Sequence, residues 1–148
     1  MKKVLVILGS ARSESNTFKA IEKNLPFSKH TIMDLLKYKV LPYSYNGYSK
    51  EDDFLKIIQT MIESDVIVFA TPVYWYAMSG SMKIFFDRFS DLITRQKLLG
   101  RALAGKETWL IATGSDEVLP EGFEVPFKRT SEYFDMIYQK AIYVCVKD

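Results

Sequence analysis

Three stretches of this 148-residue chain combine residue types suited to holding an anion and a flat ring. The first is GSARSESNT, residues 9–17. Gly9 lets the backbone turn and approach a ligand closely. Ser10, Ser13, Ser15, Asn16 and Thr17 bring hydroxyl and amide groups, and Arg12 brings a planar fork matched to phosphate oxygens. A helix starting here adds free N–H groups and a partial positive charge. Glu14, the one acid, is free to face solvent. The stretch reads as a phosphate site built without metal; the alternative is a Ser/Asn-rich helix cap. The second is TPVYWYAMSGS, residues 71–81, in which Tyr74, Trp75 and Tyr76 follow Thr71, Pro72 and Val73. Consecutive loop aromatics are costly to expose. They suit a flat aromatic ligand, a subunit interface or both, unless they fold back on the core. Ser79 or Ser81 is placed to cap the following helix. The third begins at Thr113, Gly114 and Ser115, whose backbone amides could face an electron-rich ring edge. Beyond Ser115 the segment to Pro126 reads equally well as a flap or a surface connection.

Rival chemistries are missing their residues. No Lys occupies the first loop, as GxxxxGK[ST] requires, and no GxGxxG is present. A phosphoacceptor receiver needs acids at the ends of the first and third strands, where this chain has Leu8-Gly9 and Ala70-Thr71. Cys145 lies in the last strand, so a Cys-based phosphatase is excluded, and it reads as a buried core residue. His30, the single histidine, borders the second strand, away from all three loops, which argues against a His-dependent triad or a His-ligated metal.

These loops must be positioned by the elements around them. Val4 to Leu8 and Val66 to Ala70 are short, wholly apolar, β-rich runs, as expected of strands buried on both faces. Thr31 to Met33, Thr108 to Ala112 and Ile142 to Val146 read as further strands. Between them lie helical stripes. One starts at Ser15 or Asn16, carries Phe18, Ile21 and Leu25 on one face and is stopped by Pro26. A second carries Phe54, Ile57, Ile58, Met61 and Ile62. A third runs Met82, Phe85, Phe86, Phe89, Leu92 and Ile93, and a last is marked by Phe127, Phe134 and Ile137. The connection holding Tyr38, Tyr43, Tyr45 and Tyr48 reads as a surface loop. Strands alternating with helices predict an α/β fold with a parallel sheet covered on both faces. The length suits one doubly wound domain over residues 1–148, a flavodoxin-like three-layer sandwich with five parallel strands in the order 2-1-3-4-5. In that order ligands bind beyond the strand ends where the order reverses, the place to which all three loops belong.

Composition narrows the partners. Twenty Lys+Arg against 18 Asp+Glu leave a formal charge of +2, without the concentrated basic face of a nucleic-acid binder. A 48% apolar content is globular, not disordered. One cysteine rules out an intrachain disulfide framework or a Cys-based metal cluster within one subunit. The apolar stretch Val66 to Met78 is broken by Thr71-Pro72 and falls short of a membrane span. A cytoplasmic protein without a membrane span or nucleic-acid partner is expected.

GSARSESNT after the first strand, TPVYWYAMSGSMKIFFDR after the third and LAGKETWLIATGS around the fourth resemble the flavodoxin-like NAD(P)H-dependent FMN reductases. The resemblance covers nearly the whole chain. It implies that Ser10, Arg12, Ser15, Asn16 and Thr17 hold the FMN 5′-phosphate. It further implies that Thr71, Pro72, Val73, Tyr74, Trp75 and Tyr76 pack against the isoalloxazine, and that Thr113, Gly114 and Ser115 contact its pyrimidine side. NADPH or NADH would be the co-substrate, and a quinone, free flavin, azo or nitro compound the acceptor. Homodimers or homotetramers with flavin at a subunit interface are implied as well. Relatives with an iron–sulfur cysteine cluster after the second strand are excluded by the tyrosine-rich loop there. With no acid, base or nucleophile set in the chain, a cofactor would carry the chemistry. Two other readings are a flavodoxin-type electron carrier, disfavoured by the +2 charge and Arg12, and a flavin-free interaction module.

Overall fold

Five strands form one parallel sheet in the order β2-β1-β3-β4-β5. They are β1 Val4–Leu8, β2 Thr31–Asp34, β3 Val66–Pro72, β4 Glu107–Gly114 and β5 Ile137–Cys145. The structure, a computed structural model, describes residues 1–147. Every residue of β1 is buried, as is β3 as far as Thr71, which is why both read as unbroken apolar runs. The order reverses at β1. Leu8 pairs with Ala70, and Pro72 with Thr113, so the loops after β1, β3 and β4 emerge side by side.

Helix α1 (Asn16–Asn24) packs Ala20 and Ile21 on one face of the sheet, over Val6, Val68 and Ile111. Helices α2 (Phe54–Ile62), α3 (Gly80–Asp87) and α5 (Val125–Tyr133) bury Phe54, Phe85 and Phe127 on the other, larger core. The expected three-layer arrangement is therefore present. Of the five residues predicted for the α2 stripe, Phe54, Ile57, Ile58 and Met61 are buried and Ile62 is half-buried. Ser15 is the cap of α1, its Oγ accepting from the Phe18 amide at 3.2 Å. Of the two serines proposed for α3, Ser79 is the cap, accepting from the Met82 amide.

Several expectations need correction. The stripe Met82 to Ile93 is not one helix: α3 ends at Asp87, a 3₁₀ segment runs Arg88–Ile93 and a short α4 follows at Lys97–Arg101. The cause is Arg88, only 1% exposed. Its guanidinium donates to Asp91 Oδ2 at 2.9 Å, to both oxygens of Asp52 at 2.7 and 2.8 Å, and to Leu41 O at 2.9 Å. Those inward bonds tighten the turn that an apolar residue would have left regular.

The same cluster corrects the tyrosine loop. The Tyr48 ring lies 3.4 Å under the Arg88 guanidinium and its hydroxyl donates to Asp91, so the loop is clamped to the helical layer and is not a free surface connection. Ile137 belongs to β5, not to the last helix. Asp135 takes φ 58, a left-handed geometry that ends the helical path after Phe134, and the strand begins five residues before Ile142. Cys145 is exposed, not core: it ends β5, an edge strand whose residues are exposed or half-buried throughout.

Candidate functional site

The three loops are locked to one another by hydrogen bonds. Ser79 Oγ donates to Gly9 O at 2.6 Å, joining the second loop to the first. The Val73 amide donates to Thr113 O at 2.7 Å, joining the second to the third. The hydroxyls of Thr17 and Thr113 share a buried hydrogen bond of 2.7 Å, joining the first to the third. Gly9 sits in the same crowding: a Cβ there would lie 3.0 Å from Met82 Cβ and 3.2 Å from Ser79 Oγ, so its neighbours would have to give way. The rim of the sheet is thus held together by its own hydrogen bonds.

Between the loops lies a cleft of about 310 Å³. Ser10, Arg12, Ser15, Asn16 and Thr17 line one end. Pro72, Val73 and Tyr74 line the wall, and Thr113, Gly114 and Ser115, with Val146, line the other end. Three of the predicted residues stand apart from it. Thr71 is fully buried and structural, accepting from the Ser79 amide and donating to Pro72 O. Trp75 and Tyr76 are 93% and 68% exposed, pointing outside the cleft.

Their direction follows from an unusual turn. The Tyr74 amide donates to Ala77 O, and the Ala77 amide to Tyr74 O. The two residues between take φ 50 and 68. Two consecutive left-handed residues closed by such a pair form a type I′ turn, which favours Asn-Gly at its centre. Here both positions hold bulky aromatics, which store strain of about 1–3 kcal/mol each. The turn leaves Tyr74 at the cleft and lifts the next two rings into solvent.

The donor set fits a phosphate ester. Among the described residues, Arg12 is the only charged side chain on the lining. Asn16 and Thr17 open α1, where their amides have no carbonyl four residues back to bond. The far end changes character: Pro72, Val73, Tyr74 and Val146 are apolar, and Gly114 and Ser115 present backbone. The gradient from cationic and donor-rich to apolar matches FMN, a phosphate joined to a planar ring. A larger groove of about 810 Å³ runs between α3 and α5, but it is mainly apolar and two of its three charged residues, Lys83 and Asp87, pair with each other. It also lies away from the reversal of strand order, where this architecture concentrates polar backbone groups.

Sequence reasoning missed the contribution of β5. The Tyr143 hydroxyl donates to Asp116 O at 2.7 Å. Burial, with Cys145 and Asp116 nearby, holds its phenol above the usual range, so it stays a donor at neutral pH. The Val146 amide donates to Gly114 O at 2.7 Å, and Cys145 Sγ lies 3.7 Å from Ser115 O. Only the alternation of Tyr143 and Cys145 along an apolar run hinted at this.

A five-stranded parallel sheet with a phosphate-type loop at its point of reversal defines a flavodoxin-like mononucleotide-binding protein. The profile of the NADPH-dependent FMN reductases matches residues 2–119, and the chain belongs to that family. YwqN of Bacillus subtilis strain 168, named for NAD(P)H-dependent, FMN-containing oxidoreductase activity, is 31% identical over 122 residues, covering 77% of this chain and 67% of that one. Among solved structures, the Trp repressor binding protein from Bacillus subtilis superposes with a TM-score of 0.78 at 25% identity, covering 99% and 88% of the two chains. The FMN-dependent NADH-azoreductase from Bacillus anthracis, solved with FMN, shares the fold with a TM-score of 0.66 at 13% identity, covering 95% and 86%.

Proposed function

We propose that the whole chain works as one FMN-binding domain, oxidising NAD(P)H and reducing a small acceptor such as a quinone, free flavin, azo or nitro compound. The observation that carries this reading is the lining of the cleft: among the described residues it has one cation and no carboxylate at the phosphate end, and apolar side chains beside Gly114 and Ser115 at the other. Ser10, Ser15, Asn16 and Arg12 hold the phosphate in this reading, with the start of α1 behind it. Val73 and Tyr74 form the wall of the ring, and the backbone from Gly114 onward meets its polar edge. Thr17, Thr71 and Thr113 act as a frame, because their hydroxyls are already committed. FMN, when bound, supplies the electron transfer that no side chain here can perform. The chain's task is to hold the ring, exclude water beneath it and leave its outer side open to two substrates in turn.

The exposed Trp75 and Tyr76 support assembly, since a monomer seldom leaves such rings bare. We read the protein as a homodimer in the cytoplasm, a reducing compartment in keeping with the free, exposed thiol of Cys145. Mixing FMN-loaded protein with NADPH or NADH in a stopped-flow spectrometer should bleach the oxidised flavin band. Persistence of the band with both nicotinamides would leave an electron carrier. Failure of the purified protein to bind added FMN would remove the flavin reading altogether. Sedimentation at micromolar concentration tests the dimer.

A further inference from the structure

Three donors at the end of β5 take three consecutive carbonyls of the loop after β4. Val146 N–H takes Gly114 O, Cys145 Sγ approaches Ser115 O, and Tyr143 Oη takes Asp116 O. In a trans peptide the carbonyl of one residue and the N–H of the next point in opposite directions. Carbonyls drawn toward β5 therefore turn the amides of Ser115, Asp116 and Glu117 the other way. On that side lies β3, paired with β4, and the cleft walled by Pro72 and Val73, which Ser115 lines and from which Asp116 and Glu117 continue as exposed loop. Among the described residues, none of the three amides donates to a backbone acceptor outside the helices and strands. Successive free amides of this kind make a concave site for negative charge.

We propose that Tyr143 is a positioning residue for the cofactor: its hydroxyl fixes the peptide of Asp116 and thereby aims these amides at the electron-rich edge of the flavin ring. The inference rests on the reading of the cleft as an FMN site. Gly114 belongs to the same device. A Cβ there would lie 2.7 Å from the Tyr143 hydroxyl oxygen, so a larger residue would push the phenol from its place beneath the loop. Val146 acts through its backbone and the thiol contact is long, so the phenol is the side chain on which the arrangement most depends.

Tyr143→Phe removes one oxygen and little else. Tyr138→Phe is the matched control: that phenol also sits on β5, but donates to Glu124 Oε1 at 2.6 Å, away from the cleft. Three measurements on the full chain separate the outcomes: FMN affinity by fluorescence titration, the two-electron midpoint potential of the bound flavin, and amide shifts in ¹⁵N–¹H spectra during FMN addition. In the wild type, the Ser115, Asp116 and Glu117 amides should move downfield on binding. Tyr143→Phe should weaken FMN three- to tenfold and lose much of that shift. It should also weaken the reduced form three- to tenfold more than the oxidised form, a fall of about 15–30 mV in potential. Tyr138→Phe should leave the potential unchanged. An unaltered potential and affinity in Tyr143→Phe would overturn the positioning role while leaving the FMN site standing. No FMN binding by the wild type would overturn both. Should Tyr143→Phe fail to fold, the wild-type spectra decide, and absence of shifts at all three amides counts against the proposal.

Discussion

Arg12 stands at the phosphate end of the cleft with no ion-pair partner among the described residues. Its charge is therefore available to a ligand. Arg12→Ala should weaken FMN by on the order of 1.5–3 kcal/mol, nearer the lower figure because the side chain is exposed, and should leave thermal stability without ligand unchanged. An affinity equal to that of the wild type would show that the guanidinium faces solvent throughout. The neighbouring hydroxyls divide differently from what their types suggest. Thr17 and Thr113 commit theirs to each other and Thr71 and Ser79 to the backbone, whereas Ser15 accepts from the Phe18 amide at the cap of α1 and keeps its O–H for a ligand. A hydroxyl at a strand end is equally suited to ligand and frame, and only its partner decides.

At the scale of elements, the turn over Tyr74–Ala77 is where local preference and structure disagree most. Asparagine and glycine relieve left-handed strain that tryptophan and tyrosine must bear. The double variant Trp75→Asn, Tyr76→Gly should therefore gain about 1–2 kcal/mol net, because the freedom that glycine adds to the unfolded chain offsets part of the relieved strain, raising the melting temperature by roughly 2–4 °C per kcal/mol. Its rate with planar acceptors should fall, the usual exchange of stability against activity. Trp75→Ala alone should change acceptor range or assembly more than phosphate binding. Equal loss of FMN in Trp75→Ala and Arg12→Ala would undo this division between the two ends of the cleft. A melting temperature unmoved in the double variant would show that the turn holds no strain.

For the whole molecule, the Arg88 cluster joins the tyrosine loop, α2 and the 3₁₀ segment, and its energetics are set by burial. Burial alone would raise the Asp52 carboxyl, but hydrogen bonds from Arg88 and from the Leu41 and Phe54 amides, with the cation's field, outweigh it and hold the carboxyl below the usual range. A carboxylate depressed in the folded state stabilises above its unfolded value of about 3.9, and that contribution disappears as pH falls through the folded value. Melting temperature should therefore drop steeply only below about pH 4. Asp52→Asn removes the forked carboxylate but leaves Asp91 on the Arg88 guanidinium, so it should cost about 1.5–3 kcal/mol near neutral pH, and should flatten the acid limb. A parallel acid limb in the variant would show that other carboxylates control acid unfolding.

Much of this was written locally in the chain. A short, β-rich apolar run such as Val4–Leu8 suits a doubly buried strand, Ser15 or Asn16 before a periodic stripe suits a helix start, and strands alternating with helices leave few sheet orders open. The three site loops could be located for the same reason, because each follows directly from a strand. What the tertiary structure alone decided are the pairings between residues far apart in sequence: Thr17 with Thr113, Arg88 with Asp52, and Tyr143 and Cys145 with the loop after β4. It also decided that Trp75 and Tyr76 face outward, and that Ile137 is strand and Cys145 surface. These depend on register, on which strand lies at the edge and on the handedness of single residues, quantities fixed by packing distant segments together and carried by no periodicity along the chain.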